Sequence, residues 1–256
     1  MKALVFAAGL GTRLKPFTDF HPKALVEVGG RPMLEHVMER LIAAGATEIV
    51  VNVHHFASQI ISFLDSRAWP VPVKISDESD MLLDTGGGLL KAARLLGEDS
   101  PVLIHNADIY TDIDLPELMH AHNDARRALA TLAVSVRNTQ RLLAFDADMR
   151  MRGWTNVTTG ALRPDSLREI PPEYALLAFA GVHVISPAIF QLLASYNEKI
   201  TGETDAEGIH KFSIMDFYVD SCTDRIICGH VPHTGHVWCD VGKPDSLERA
   251  RSLHNA

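Results

Sequence analysis

MKALVFAAGLGTRLKPFTDFHPKAL, residues 1–25, is the stretch that decides the fold of this chain. Its apolar run, residues 3–8, predicts a buried strand that opens onto a loop containing Gly9, Gly11, Thr12, Arg13, Lys15 and Lys23. Glycines let backbone N–H groups approach an anion closely, and arginine and lysine add positive charge. The stretch therefore predicts a strand followed by a polyphosphate-binding loop.

The composition is that of an ordinary globular protein with an acidic balance. Of 256 residues, 46% are hydrophobic and 22% are charged, and the net charge is −8. This charge argues against a nucleic-acid partner. No apolar run approaches the roughly 20 residues of a membrane span, and residues 1–10 lack the features of a signal peptide. Three cysteines without a CxxC spacing suit a reducing compartment. We therefore expect a cytoplasmic protein with no membrane partner.

Strand-like and helix-like segments alternate through the first half. The strand-like segments are residues 48–53, 71–75 and 101–106, and helical spacing marks residues 31–44, 56–64, a segment from 85, and 115–123. This alternation indicates a Rossmann-like α/β fold, with a mostly parallel sheet flanked by helices. Ligands of such sheets lie beyond the carboxyl ends of the strands, which would bring the first loop close to Asp108.

The second half is richer in strands. Residues 129–136, 142–146, 151–155 and 176–185 predict an antiparallel or mixed β-rich extension. Short helices are expected at 187–194 and 214–222, late strands at 225–230 and 237–239, and a closing helix at 244–254. Residues 197–211 are the most polar and predict a mobile loop. We expect one domain, residues 1–256, with halves 1–125 and 126–256.

Two familiar phosphate-binding motifs do not fit the first loop. A dinucleotide fingerprint needs a third glycine where Leu14 stands and an acid after the second strand, where the chain reads Asn52-Val53-His54. A P-loop needs a Gly-Lys-Ser/Thr ending, which is absent. The pattern that remains is A-A-G-x-G-T-R-L-x-P-x-T, followed by Pro22-Lys23. It resembles the signature of the sugar-1-phosphate nucleotidylyltransferases.

That resemblance implies transfer of a nucleoside monophosphate from an NTP to a sugar 1-phosphate, with release of pyrophosphate. Residues 1–125 would be the NTP-binding half and residues 126–256 the sugar-binding half. Arg13 is then assigned to the leaving pyrophosphate and Lys23 to the α-phosphate, as the catalytic residues. The loop residues assigned to the nucleotide are Ala8, Gly9, Gly11 and Thr12.

Two aspartates are candidates for a metal site. Asp108 follows a buried strand, where a carboxylate is costly without a partner, and Asp240 similarly ends a short strand. Two hard oxygen ligands suit Mg²⁺. In the resembled family the N-G-D and W-x-D-[VI]-G segments carry the metal aspartates, and both are present here, with Ala107 in place of the glycine. The alternative for Asp240 is a helix cap.

The segment L-x-T-G-G-G, residues 83–88, is assigned to the base and ribose through Thr85, Gly86 and Gly87. A glycine run at a helix N-terminus without a ligand is the alternative. This form is similar to N-acetylmuramate-1-phosphate uridylyltransferases and to mannose-1-phosphate guanylyltransferase-like sequences. It favours UTP with N-acetylmuramate 1-phosphate or a related hexose 1-phosphate, with GTP and mannose 1-phosphate as the alternative. The first pairing implies a cell-envelope precursor.

The sugar end departs from the family pattern. Residues 179–183 resemble its F-x-G-[IV] strand, so Gly181 is assigned to the sugar, together with Asn106 and Asn156. The Glu-Lys-Pro lysine that many members place on the sugar phosphate is missing between residues 154 and 179. The candidates to replace it are Arg141, Trp154, Asn156 and Lys211. The segment KFSIMD, residues 211–216, is interpreted mainly as core and helix cap.

Rival functions come from other classes. A catalytically silent nucleotide-sugar-binding regulatory protein would not need the metal pair, and an NAD-dependent oxidoreductase is disfavoured by the missing third glycine. The cysteines and histidines of residues 228–239 match no common zinc spacing. The sequence leaves a homo-oligomer open.

Overall fold

The computed structural model describes residues 1–254. Its strands, β1 to β14, are Lys2–Phe6, Glu27–Val28, Arg31–Pro32, Glu48–Val53, Val73–Asp77, Val102–Asn106, Ile109–Thr111, Ala130–Ser135, Arg141–Phe145, Met151–Asn156, Ala161–Arg163, Ala175–Ile185, Ile227–His230 and Trp238–Asp240. Its α-helices, α1 to α7, are Met33–Ala43, Ala57–Asp65, Asp84–Leu96, Leu115–Asp124, Ile189–Asn197, Ile214–Ser221 and Pro244–His254.

The first half forms a parallel sheet in the order β6-β1-β4-β5. Strands β1, β4 and β6 are mostly apolar because helices cover both faces of the sheet, whereas the edge strand β5 is partly exposed. Strand β1 ends level with β6, since Phe6 pairs with Asn106. The loop after β1 and the segment after β6 therefore leave the sheet at the same edge.

The second half adds antiparallel strands to this sheet. The longest, β12, pairs antiparallel with β6, β8 and β9, and β10 and β11 continue the sheet beyond β9. The pairing of β12 with β8 shifts between Phe179 and His183, where Gly181 takes a φ of 77°. Such a bulge bends a strand and redirects its side chains. The predicted α/β fold with a β-rich extension is confirmed.

Two hydrophobic clusters cover the two faces of the sheet. Along β1, Leu4 faces the cluster that includes the inward sides of α3, α5 and α6, whereas Ala3 and Val5 face the cluster under α1, α2 and α4. This alternation follows from the period of two in a strand. The edge where the loop after β1 and the segment after β6 leave the sheet is thus supported by packing on both faces.

Several short elements were not predicted. The loop after β1 contains three 3₁₀ turns, Thr12–Leu14, Phe17–Asp19 and Lys23–Leu25, followed by the β2–β3 hairpin. Strand β7 was not predicted either. It pairs antiparallel with β14, which confirms the late strand expected at residues 237–239, and Asp240 lies opposite Ile109. The elements that were not predicted are shorter than the windows over which a hydrophobic period can be detected. Among residues 1–254, no helix has the length and apolar character needed to cross a membrane.

Candidate active site

The loop after β1 is held in place by close backbone contacts. The Ala7 N–H donates to the Asn52 Oδ1 at 2.7 Å, which fixes the start of the loop against β4. Gly11 has a φ of 63°, and a Cβ there would lie 2.8 Å from Thr18 and 2.9 Å from the Cβ of Lys23. Gly9 has open space at the same position. Gly11 is thus required by the fold of the loop, while Gly9 leaves room for a ligand.

Lys23 lies between the two predicted metal aspartates. Its Nζ contacts the Asp108 carboxylate and lies 3.5 Å from the Asp240 Oδ1, and its side chain is 9% exposed. Arg13 Nη2 lies 3.8 Å from the Asp240 Oδ2. The β7–β14 pair and a Val241 N–H to Asp108 carbonyl bond of 2.9 Å hold these segments together. The structure therefore brings Arg13, Lys23, Asp108 and Asp240 to one point.

The residues at this point fit a divalent cation. Asp108 and Asp240 converge on one cationic group and retain partly exposed carboxylates, 29% and 38%. Their oxygens are hard donors of the kind that Mg²⁺ prefers. Asp240 does not cap the last helix, because its Oδ1 accepts from the Gly242 N–H at 2.8 Å, ahead of the helix start at Pro244. Both side chains are therefore placed as ligands would be.

A cavity of about 430 Å³ lies over the loop. Its walls come from the loop after β1, from β4, from the start of α3 and from the segment after β6. Of the residues assigned to the nucleotide, it is lined by Ala8, Gly9, Gly11, Thr12 and Thr85. Lys211, a candidate for the sugar phosphate, lines this cavity instead.

Gly86 and Gly87 lie inside α3 and pack against the protein itself. The Gly86 N–H donates to the Phe212 carbonyl at 2.8 Å, and a Cβ on Gly86 would overlap the Phe212 ring. A Cβ on Gly87 would lie 2.5 Å from the His210 carbonyl oxygen. The close approach that these glycines allow is therefore to residues 210–212 and not to the cavity.

A buried carboxylate lies behind the wall of this 430 Å³ cavity and supports Asn52, which lines it. Glu78 is fully buried, with Oε1 accepting from Asn52 at 2.6 Å and Oε2 accepting from the Leu83 N–H at 3.0 Å. Burial raises its pKa, and the two hydrogen bonds oppose that rise. A Cβ on Gly88 would lie 2.5 Å from the Glu78 Oε1. Glu78 thus orients Asn52, which in turn orients the first loop.

A second cavity, of about 990 Å³, adjoins the first. The two cavities share Arg13, Asp84, Asn106 and Asp108 in their walls. The larger cavity is bounded by the β-rich half, and the residues assigned to the sugar, Asn106, Asn156 and Gly181, all line it. Arg141 and Trp154 also line it, whereas Lys211 does not. A ligand in one cavity would therefore meet a ligand in the other beside Lys23 and the aspartates.

Residues 2–255 match the family model described as nucleotidyl transferase. The chain belongs to the nucleotidyl transferase family.

Relatives of this nucleotidyl transferase act on sugar phosphates, as their names state. It is 31% identical to N-acetylmuramate alpha-1-phosphate uridylyltransferase from Caulobacter vibrioides, over 95% of this chain and 93% of that protein. It is 30% identical to mannose-1-phosphate guanyltransferase from Aspergillus oryzae, over 86% of this chain. It spans only 60% of that relative's length. The resemblance inferred from the first loop is confirmed.

Solved structures show the same fold. A glucose-1-phosphate thymidylyltransferase from Bacillus anthracis, described as putative and solved with sucrose, has a TM-score of 0.76 and 19% identity. The similarity covers 99% of this nucleotidyl transferase and 94% of that chain. The central sheet and its helices therefore have the arrangement of that protein.

The nucleotidyl transferase has two cavity arginines that sequence reasoning missed. Arg137 follows β8 and lies over the Trp238 ring, with 3.6 Å between its Cζ and the ring centroid. Arg163, at the end of β11, pairs with Asp216 at 2.5 Å and with Asp220 at 3.0 Å. Both line the larger cavity. Neither stands in a motif, so no sequence signal identifies them.

The polar segment of residues 197–211 is anchored to the nucleotidyl transferase core. Asp205 lies 3.0 Å from Lys91 of α3, and the Asp205 side chain is completely buried. The Phe212 N–H donates to the Leu83 carbonyl at 3.1 Å. The ion pair and the Gly86 packing attach this segment to α3 at two points, and the mobility of its exposed residues stays a prediction. Phe212 is buried and Ser213 caps α6, as predicted for residues 211–216.

The histidines and cysteines of residues 228–239 do not converge. Within the described chain no group of three or more His, Cys, Asp or Glu side chains could hold a metal ion by protein ligands alone. Cys239 is buried and donates to the Ser246 carbonyl at 2.9 Å.

Proposed function

We propose that this enzyme transfers a nucleoside monophosphate from an NTP to the phosphate of a sugar 1-phosphate, which gives an NDP-sugar and pyrophosphate. One observation carries the proposal: two adjoining cavities meet at a point where Arg13, Lys23, Asp108 and Asp240 converge. The NTP would lie over the first loop, and the sugar 1-phosphate would lie in the larger cavity. Their phosphates would then face each other at the shared wall.

The favoured substrates are UTP and N-acetylmuramate 1-phosphate, or a related hexose 1-phosphate. This choice rests on the Caulobacter relative, whose similarity extends over nearly the full length of both proteins. GTP with mannose 1-phosphate is the alternative, supported by a relative that is much longer than this chain. With the first pairing the product would be a cell-envelope precursor.

The reaction needs alignment and charge compensation more than covalent chemistry from the protein. A sugar-phosphate oxygen attacks the α-phosphorus of the NTP, the bond to the bridging oxygen breaks, and pyrophosphate leaves with the electron pair. Lys23 would contact the α-phosphate, since two carboxylates already fix its ammonium at the junction of the cavities. Arg13, which is about half exposed, would stabilise the leaving pyrophosphate. Preorganised charges of this kind are effective because they need no rearrangement during the reaction.

The remaining residues position the substrates. The open backbone at Gly9, with Ala8, Gly11 and Thr12, would hold the phosphates, and Thr85 would contact the nucleoside. Asp108 and Asp240 would hold Mg²⁺. When bound, Mg²⁺ would neutralise phosphate oxygens and so reduce repulsion between the two substrates. Residues 1–125 would supply most of the nucleotide site and residues 126–256 most of the sugar site. The three cysteines are free thiols, which supports a cytoplasmic location.

A pyrophosphate-release matrix tests the proposal. Four NTPs are combined with the 1-phosphates of glucose, mannose, N-acetylglucosamine and N-acetylmuramic acid, with Mg²⁺ present. We expect release with one dominant pair. Nucleotide binding without release from any pair would instead favour a silent regulatory protein. A thermal-shift titration that responds to NAD but not to UTP or GTP would favour an oxidoreductase.

A further inference from the structure

Arg137 is held rigidly in the wall of the larger cavity. Its guanidinium lies over the Trp238 indole, and its Nη2 donates to the Phe179 carbonyl. The Trp238 Nε1 donates to the neighbouring Ala180 carbonyl at 2.8 Å. An arginine stacked on an aromatic ring keeps its planar fork of donors in one orientation. Arg137 is thus presented to the cavity in a fixed position.

The hydrogen-bonding capacity of Arg137 is not satisfied by the protein. Its Nε is buried and has no partner among residues 1–254, and no carboxylate of that range lies within ion-pair distance. By contrast, Arg163 is neutralised by two aspartates. Burial lowers the Arg137 pKa to about 10, and the Asp240 charge opposes this shift. Arg137 is half-buried and lines the cavity. A partly buried cation without a carboxylate partner is stabilised by an anionic ligand.

We propose that Arg137 binds the phosphate of the sugar 1-phosphate, in the role left open by the missing Glu-Lys-Pro lysine. The assignment rests on the proposed function. Trp238, on which Arg137 lies, is two residues before Asp240 in β14. One short strand therefore supports both the phosphate-binding cation and a predicted metal ligand. The sugar phosphate would be held beside the α-phosphate, as in-line attack requires.

The other candidates fit this role less well. Lys211 lines the smaller cavity and would serve the nucleotide. Trp154 and Asn156 carry no charge, and the Asn156 Oδ1 accepts from the Thr158 N–H at 3.0 Å. Arg141 lies exposed at the start of β9, where solvent screens its charge. Arg137 is the cavity arginine that combines a fixed orientation with unmet donors.

Kinetics of Arg137 variants test the assignment. With the best substrate pair of the matrix, we expect Arg137→Met to raise the KM for the sugar 1-phosphate by roughly 10- to 100-fold, the range for a charge-assisted hydrogen bond. The KM for the NTP should stay within about twofold, because that ligand occupies the other cavity. Arg137→Lys should recover part of the loss, since it restores the charge but not the planar fork. Arg168→Met is the matched control, because Arg168 is exposed and lines neither cavity, and it should change the sugar 1-phosphate KM less than about threefold. Arg141→Met, at the rival candidate, should raise this KM less than Arg137→Met does.

Failure of the Arg137 assignment and failure of the proposed function give different results. If wild-type enzyme is active and Arg137→Met keeps the wild-type KM for the sugar 1-phosphate, the assignment is overturned while the proposed function stands. An equal rise in both KM values, or a larger effect from Arg141→Met, would also overturn it. If no pair in the matrix releases pyrophosphate, the proposed function itself fails. Should Arg137→Met not fold, the comparison of Arg137→Lys with wild type decides, because the lysine keeps the charge over Trp238.

Discussion

Replacing Lys91 with methionine should destabilise the enzyme, because the buried carboxylate of Asp205 would lose its counter-charge. The Lys91 Nζ lies 3.0 Å from the Asp205 Oδ2 and 3.3 Å from the Asp80 Oδ1. The Lys91 side chain is 6% exposed and the Asp205 side chain 0%. Without the ammonium, Asp205 keeps only the N–H groups of Glu207 and Ile209, each at 2.9 Å. Lys91→Met would leave a buried carboxylate without its counter-charge.

The structure limits the size of this effect. Breaking a buried ion pair by removing one partner costs about 3–5 kcal/mol. The two N–H donors that remain favour the lower end, about 3 kcal/mol. At 2–4 °C per kcal/mol for a chain of this size, the melting temperature should fall by roughly 6–12 °C. Since residues 204–212 carry Lys211 into the smaller cavity, the KM for the NTP should also rise.

The effect is measured as the free energy of unfolding, by chemical and thermal denaturation of the four proteins of a double-mutant cycle. Asp205→Asn alone should also destabilise, whereas Lys91→Met with Asp205→Asn should recover most of the loss because neither charge remains. Burial raises the Asp205 pKa, but the Ile209 N–H and the Lys91 ammonium lower it more, so the net shift is downward. The Asp205 carboxylate therefore stabilises the protein at pH values above the ordinary pKa of aspartate. This stabilisation is lost as the pH falls through the lowered pKa of the folded state. A single-mutant loss below about 1 kcal/mol, or an additive cycle, would refute this reasoning.

Two further predictions concern catalysis and pH. Lys23→Ala should lower kcat by on the order of 100-fold under saturating NTP and Mg²⁺, and unchanged turnover would reject its role at the α-phosphate. Burial lowers the pKa of His105 and His122 to about 4 and that of His183 to about 3. These histidines stay neutral in the fold, so their stability contribution is full above pH 6.5 and falls as pH drops toward those values, by roughly 2 kcal/mol each at pH 5. Urea midpoints at pH 7 and pH 5 measure this loss, which His183→Phe should reduce; equal midpoints in the wild type would contradict it.

Local patterns predicted the parts of the site that follow strands. The loop after β1 and Asp108 each follow an apolar strand, and a parallel sheet brings such ends to one edge. Asp240 reaches the same place through the separate β7–β14 pair. The strand and helix bounds differ from the predictions by a few residues, because element ends are set by individual hydrogen bonds rather than by periodicity. Predicted and observed bounds coincide at β4, Glu48–Val53, and at α7, Pro244–His254.

Long-range contacts were not predictable in the same way. Lys91 and Asp205 are 114 residues apart in the chain, and nothing local marks them as partners. Arg137 lies in an irregular segment after β8, and only the folded chain brings it over Trp238. The three glycines of residues 86–88 matched a motif, yet Gly86 and Gly87 serve the packing of residues 210–212. A sequence pattern records that a close approach occurs, but not which group approaches.

Because of strand β12, residues 1–125 and 126–256 of this enzyme cannot be exchanged independently between relatives. Residues 182–185 pair with β6, and residues 175–177 pair with β9. A chain cut after residue 125 would expose one edge of β6, and an open apolar edge of that kind pairs with other chains. An exchange of residues 126–256 between relatives would have to preserve the pairing of β12 with β6 and β9. Changes in sugar choice are therefore more accessible through single residues in the cavity wall than through the exchange of modules.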